Sequence, residues 1–528
     1  MKVNNAPVLR PEHPEPRLLS DFAERFGVTA DRDITGLRTT GTTVASVDVR
    51  PGEIFIALHG VPRQGPQFGV RRHGAEFAAE AVAKGAVAIV TDAMGAELAA
   101  DAGVPLFVMD DPRPRVWEIA SWVFGNDDRM PLMLGVTGTN GKTSTVHLQH
   151  EILRALGYTT SLSSSARRIV ADEEVTAKLS TPEASELHAI IARGRETGVQ
   201  VMCLEVSVQA IIHGRSSGIV FDVAGFTNLQ LDHREDFANM DDYLQAKARM
   251  FKGGQARKAV VSLDTVAGRT VAAEAECPVT TVATPEIAED GELAESAQWI
   301  ARMTAERVNA TAFTLDGPDG QHVETTVPAL GAHMVTNAAM AIVMLVEAGI
   351  PWEDIARVID GGIPGFLPGR TELVTTGRGP VIYIDFAHTP DAIEKTAAAV
   401  RRVTPGKVIV MFGADGSRDG TKRPLMGLAA VRNSDVAIVT DYNPRWEDPD
   451  LIRAQLYEGA AQEPPAGGLF NIGDPEEALE KAVSLAEDGD AILWCGPGHQ
   501  NFLDVKGKRI AYDFPQISLD ALRRHGWG

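Results

Sequence analysis

The sequence predicts an α/β fold in three successive units, and three observations carry that expectation. The chain holds 528 residues, and a domain typically takes roughly 150. Short apolar, β-branched runs alternate with Ala- and Leu-rich stretches of helical period, the pattern that strands and crossover helices give in mostly parallel sheets. Two segments rich in helix breakers, FGNDDRMP at 124–131 and DGGIPGFLPGR at 360–370, interrupt the alternation. They set expected units of 1–128, 129–364 and 365–528, with the first boundary near Asp128.

In the first unit EIFIAL, AVAIV and PLFVM read as strands and AEFAAEAVAKG as a helix. The second opens on the buried-type strand LMLGV and continues with longer helices. The third contains four β-branched runs, VIYID, VIVMFG, VAIVTD and AILWCG, each followed by a polar turn. Strands spaced by helices imply a parallel, doubly wound sheet whose ligands gather at the carboxyl ends of its strands. Asp385, Gly413, Asp441 and Gly496 stand at those ends.

Hydrophobic residues make up 44% and charged residues 23% of the chain, as in ordinary globular proteins. With 50 basic and 71 acidic residues the formal charge is -21, which argues against a general nucleic-acid or anionic-membrane surface. Cys203, Cys277 and Cys495 lie far apart in no metal-ligand spacing, so neither a disulfide framework nor a zinc site is expected. The opening MKVNNAPVLRPEHPEP lacks a signal-type apolar core, and no run approaches a membrane span. A cytoplasmic location is the expectation.

The stretch LMLGVTGTNGKTSTVHLQHEILRALG carries the strongest chemical signal. A strand enters a glycine-rich turn, and a helix with Leu148, Ile152 and Leu156 on one face stops at Gly157. Small residues let the backbone N–H groups of Gly138, Thr139, Asn140 and Gly141 curl around phosphate at the helix N-terminus. Lys142 is expected at the β- and γ-phosphates and Thr143 on magnesium. The long phosphate-loop pattern is not complete, because Val136 stands where its first glycine belongs. VMCLEVS puts Glu205 at the end of another strand, where an acid can approach magnesium. FTNLQLDHREDF groups Asn228, Asp232 and His233 in one turn, and YLQAKARMF puts Lys247 on a helix.

Taken in order, TGTNGKT, STPEASEL, LEVS, FTNLQLDH, YLQAKARMF, PGRTELV, IDFAHTPDAIE, RDGTKRPLMG, DYNPRWEDP and CGPGHQ make a chain that resembles the Mur ligases. Within that family it is most similar to the diaminopimelate-adding tripeptide synthetases, and the likeness runs from about Ser46 to the C-terminus. The resemblance implies an N-terminal UDP-sugar domain, a central P-loop ATPase domain and a C-terminal Rossmann-like domain for the incoming amino acid. It implies ATP and Mg2+ as cofactors, and a UDP-muramoyl dipeptide and an amino acid as substrates. By this likeness Lys142 and Thr143 handle phosphate and magnesium, Glu205 binds magnesium, and Lys247 is the lysine carbamylated into an anionic metal ligand. Asn228, Asn337, Arg370 and Asp385 join the ATP contacts, while Ser46, Ser180, Thr181, Ser207 and Arg215 fall at muropeptide positions. Asn443 and Arg445 grip the distal end of the amino acid, with Arg418, Gly496 and Gln500 beside them. Arg supplies a bidentate fork for a carboxylate, and Pro444 stiffens the clamp. His233 and Asp232 are candidates for deprotonating the amine.

Five positions depart from the family pattern. Tyr442 replaces the Asp that opens the clamp, Gln500 replaces a Glu, Gln209 replaces a His, and Ala45-Ser46-Val47 replaces Asp-Ser-Arg. The leading expectation is a ligase that adds meso-diaminopimelate to UDP-N-acetylmuramoyl-L-alanyl-D-glutamate through an acyl phosphate. A paralogue using another amino acid or carboxylate is the alternative. A catalytically weak muropeptide-binding regulator ranks last, because Lys142, Glu205 and Lys247 are all retained.

Overall fold

A computed structural model describes residues 8–60, 72–127, 129–177, 179–232 and 236–528; Asp128 and His233 lie outside them. Three principal sheets follow one another along the chain. The first is a four-stranded parallel sheet, Gly41–Thr43, Glu53–Ile56, Ala88–Thr91 and Leu106–Val108, in that order. Its three longest-range expectations, EIFIAL, AVAIV and PLFVM, are strands of it. AEFAAEAVAKG begins as a 3-10 turn at Gly74–Phe77 before the α-helix Ala78–Ala83. The cause is a capping box: His73 Nδ1 accepts from Ala75 N at 3.0 Å while Glu76 accepts from His73 N at 2.9 Å.

The second sheet has eleven strands. Its centre runs Thr160–Ser163, Val201–Glu205, Leu132–Thr137, Val223–Phe226, Ala259–Ser262 and Val279–Ala283, all parallel. The apolar run of LMLGV serves two cores. Leu134 and Val136 pack with Val146 and Ile152 on one face, and Met133 packs with Leu187 and Ile190 on the other, because successive strand residues point to opposite faces. Beyond the parallel part, Trp299–Arg307, Ala310–Asp316 and His322–Val327 add an antiparallel meander that the helix-alternation pattern did not anticipate.

The third sheet orders as Glu372–Val374, Val381–Asp385, Ala491–Cys495, Val408–Phe412, Val436–Val439 and Leu469–Asn471. All four expected runs are its central strands, parallel to one another; Glu372–Val374 joins antiparallel at the edge. No helix among the described residues is long and apolar enough to cross a membrane.

Burial keeps several histidines neutral well below their ordinary range. His150, His188 and His388 are lowered to about 4, and His333 and His499 to about 3. Unfolding exposes imidazoles that take up protons below about 6.5. The unfolded state therefore binds more protons between about 6.5 and 4, and stability is present above that window and lost as pH falls through it. Melting temperatures should drop steeply from pH 6.5 to about 4.5; a flat acid limb would contradict the assignment.

Candidate active site

The strand Leu132–Thr137 ends in a loop that only glycine permits at two points. Gly138 and Gly141 have φ of 144° and 90°, in the region L side chains avoid. A Cβ at Gly138 would lie 2.0 Å from Thr227 Oγ1, and one at Gly141 would lie 2.2 Å from Asn337 Oδ1. Asn228 straps the loop down: its Oδ1 accepts from Asn140 N at 3.0 Å, its carbonyl accepts from Thr139 N at 2.9 Å, and its Nδ2 donates to Asn140 O at 3.2 Å. Gly141→Ala should weaken ATP binding by about tenfold or more, since it strains the backbone and pushes Asn337 aside. Titration calorimetry with a non-hydrolysable ATP analogue checks this, and an unchanged affinity would refute it.

Lys142 Nζ donates to Gly138 O at 2.9 Å and to Thr139 O at 2.7 Å, so the loop's own carbonyls hold it where phosphate oxygens belong. Thr143 Oγ1 donates to Glu205 Oε2 at 2.9 Å, and Ser165 N donates to the same oxygen at 2.9 Å. Lys247, 1% exposed, comes from the helix Met240–Ala248. Its Nζ donates to Gly138 O at 2.8 Å and sits 4.6 Å from the Tyr243 ring centroid. Burial first, and the nearby Lys142 second, push its ammonium well below the ordinary lysine value. Lys142 is lowered too, again chiefly by burial.

Thr143 and Glu205 bring two hard oxygens together, a set that suits magnesium when substrate phosphates and water complete the shell. Lys247 does not belong to that set as it stands, because an ammonium has no lone pair to offer and its contact is with Gly138 O. It becomes a ligand only after conversion to an oxygen donor. Among the described residues no group of three His, Cys, Asp or Glu side chains could hold a metal by itself.

The third sheet supplies the opposite wall from the carboxyl ends of its strands. Asp385 accepts from Thr371 N at 2.7 Å and Ala387 N at 2.8 Å; burial raises its carboxyl above the ordinary value, against the pull of Arg370. The Arg370 guanidinium lies 5.0 Å from the Phe386 ring centroid. Contacts that bridge the cleft include His499 Nε2 with Ser165 O at 2.9 Å, Lys422 Nζ with Asp232 Oδ1 at 3.0 Å, and Leu330 N donating to Thr371 Oγ1 at 2.9 Å.

Asn443 and Arg445 both adopt left-handed backbone, at φ of 42° and 53°, on either side of Pro444. The hairpin Phe502–Val505 and Lys508–Ala511 holds them there. Arg445 N donates to Asp504 O at 2.9 Å, Lys506 N donates to Arg445 O at 2.6 Å, and Asp504 N donates to Asn443 Oδ1 at 2.7 Å. Arg445 pairs with Asp415 at 3.3 Å. Arg418 lines the cleft without an ion-pair partner among the described residues. Gly496 is outside the cavity lining and makes room for the Tyr442 ring, which a Cβ there would approach at 3.3 Å.

At the remaining end, Ser180, Ser207 and Arg215 line the cleft. Thr181 acts one step back, its Oγ1 donating to Glu205 O at 2.8 Å and accepting from Ser207 N at 3.0 Å. Arg215 pairs with Glu183 at 3.1 Å. Ser46 stands apart from the rest, outside the cavity lining, with its hydroxyl on Glu80 at 2.8 Å. A single cavity of about 1640 Å³ joins Lys142, Glu205, Asn337, Arg370, Arg445 and Ser180. Ser165, Asp264 and His499 also line it and were missed. Asp264, which accepts from Thr284 N at 2.7 Å and Thr336 Oγ1 at 2.7 Å, sits in no motif that spacing would reveal.

A phosphate-type loop facing a second doubly wound sheet across one cleft is the arrangement of a nucleotide-dependent enzyme. The Mur ligase middle domain matches residues 136–345, and the Mur ligase glutamate ligase domain matches 369–498. A UDP-N-acetylmuramyl-tripeptide synthetase of Leifsonia xyli is 45% identical over 98% of each chain. A UDP-N-acetylmuramoyl-L-alanyl-D-glutamate--2,6-diaminopimelate ligase of Streptomyces coelicolor is 38% identical over 96% of each. A solved 2,6-diaminopimelate ligase of the same description superposes with a TM-score of 0.59 at 25% identity, over 96% of this chain and 99% of that one. The chain belongs to the Mur ligase family and is an ATP-dependent amide ligase.

Proposed function

We propose that this enzyme joins meso-diaminopimelate to UDP-N-acetylmuramoyl-L-alanyl-D-glutamate, in the cytoplasm, through an acyl phosphate. The observation that carries this reading is the continuity of one cavity from the phosphate loop to the Asn443–Arg445 clamp and to Ser180. The names of its relatives support it, since several are diaminopimelate ligases. The division into 1–128, 129–364 and 365–528 fits the three sheets, each of which falls within one unit.

In the first step an oxygen of the substrate's terminal glutamyl carboxylate attacks the γ-phosphorus of ATP, and ADP leaves. Lys142 exchanges its two loop carbonyls for phosphate oxygens and neutralises charge that spreads over them. Arg370 approaches from the other wall, and Asn337 lies at the adenosine end. Magnesium held by Thr143 and Glu205 would screen the same phosphates. In the second step the amine attacks the acyl carbon, and the tetrahedral adduct expels phosphate, which carries away the proton that the amine loses. Arg445, Asn443 and Arg418 orient the amino acid through its distal carboxylate. Ser180, Ser207 and Arg215 hold the muropeptide.

Phosphate release and product mass test this directly, with ATP, magnesium, the UDP-muramoyl dipeptide and either meso-diaminopimelate or L-lysine. Turnover that needs the dipeptide and meso-diaminopimelate, and falls at least tenfold in Arg445→Ala, is expected. Ligation of lysine alone would refute the assignment of the amino acid.

A further inference from the structure

The hydrogen bonds around Gln500 fix which way its amide faces. A backbone N–H can only donate, so the Asn443 atom 2.7 Å from Asp504 N is Oδ1. Asn443 Nδ2 is then the atom left to face Gln500, and the Gln500 atom 2.8 Å from it must be an acceptor, Oε1. The Tyr442 hydroxyl donates to that same oxygen. Gln500 Oε1 is thus taken twice, while its Nε2 has no partner among the described residues and Gln500 lines the cavity. What this position offers a ligand is a donor.

Tyr442 is built into this arrangement. It is 4% exposed and packs with Trp494, Phe514 and Ala478. Gly413 and Gly496 clear its space: a Cβ at Gly413 would lie 2.8 Å from Tyr442 Cβ. Burial pushes the phenol well above its ordinary value, so it remains a neutral donor. Of the carboxylates nearby, Asp415 pairs with Arg445 at 3.3 Å and Asp504 accepts from Gly507 N at 3.1 Å, while Asp415 Oδ1 and Asp419 Oδ2 accept no hydrogen bond among the described residues.

We propose that Tyr442 and Gln500 together make this clamp read the distal carboxylate of the incoming amino acid and ignore a distal ammonium. The inference rests on the diaminopimelate reading and refines it. Arg445, Arg418 and Gln500 Nε2 are all donors, which match a carboxylate and offer an ammonium nothing. A second amino group at the distal carbon is tolerated in the open cavity without being selected. Carboxylic diacids of the right length are the substrate class, with or without that group.

The test compares kcat/KM for meso-diaminopimelate and for 2-aminopimelate, the same seven-carbon diacid without the distal amine, in the full chain and in Gln500→Glu. A carboxylate at 500 keeps both existing donors, Tyr442 and Asn443, so the variant retains its contacts. The native enzyme should use the two diacids within about threefold of each other, whereas Gln500→Glu should favour meso-diaminopimelate by about tenfold or more, mainly through KM. A native enzyme that already rejects 2-aminopimelate tenfold would overturn the inference alone and point to Asp415 or Asp504 as the reader of the amine. If neither diacid is ligated, the inference falls together with the function it rests on.

Discussion

Alanine at Lys142 is expected to slow acyl-phosphate formation by about a thousandfold or more. The side chain stands at the phosphate cradle, and its present partners are carbonyls of the loop itself, at 2.9 and 2.7 Å. Burial lowers its pKa, against the pull of Glu205 and Asp232. Removing the side chain leaves the developing charge on the transferring group uncompensated, and also frees two carbonyls to repel phosphate. Single-turnover release of ADP from enzyme preloaded with dipeptide is the measurement. A loss confined to the KM for ATP, with the chemical step unchanged, would show that Lys142 binds nucleotide without stabilising the transition state.

Lys247→Met should separate activity from stability. Turnover is expected to fall by roughly 10²- to 10³-fold, the scale for loss of one preorganised charged group. Stability should rise, because a 1% exposed lysine with one carbonyl and one ring as partners is replaced by a side chain of similar length that needs none. The pH dependence has a definite sign. The folded pKa lies well below the ordinary lysine value, so between the two the unfolded chain binds the extra proton and the native enzyme gains stability as pH rises. The melting advantage of the variant should therefore be largest near neutrality and shrink towards about pH 9.5. Bicarbonate must be excluded, since carbamylation would turn the amine into an anion. Equal advantages at both pH values would refute the account.

The parts of this fold that were legible are those whose signal is local. LMLGVTGTNGKT contains its strand, its two positive-φ glycines and its helix start within twelve neighbouring positions, and the structure assembles them as read. The four runs of the third sheet are apolar on both faces because helices cover both, so they stand out. The meander at Trp299–Val327 was obscure because its strands are half exposed and carry polar residues on the open face. Contacts such as His499 with Ser165, 334 residues apart, leave no trace in spacing. Ser46 donates to Glu80, a contact between residues 34 positions apart that its motif does not foretell. Tyr442 and Gln500 read separately as two departures; only the bond between them makes them one change.

Two of the bridges across the cleft, Lys422 with Asp232 and His499 with Ser165, form a latch made of the enzyme's own residues. A latch acts in both directions. It reduces what substrates must contribute to draw the two walls together, and it lengthens the wait before ADP and product can leave. Loosening it speeds departure but leaves the acyl phosphate in longer contact with water. Speed and faithful coupling of ATP use to product thus pull the same two contacts in opposite directions.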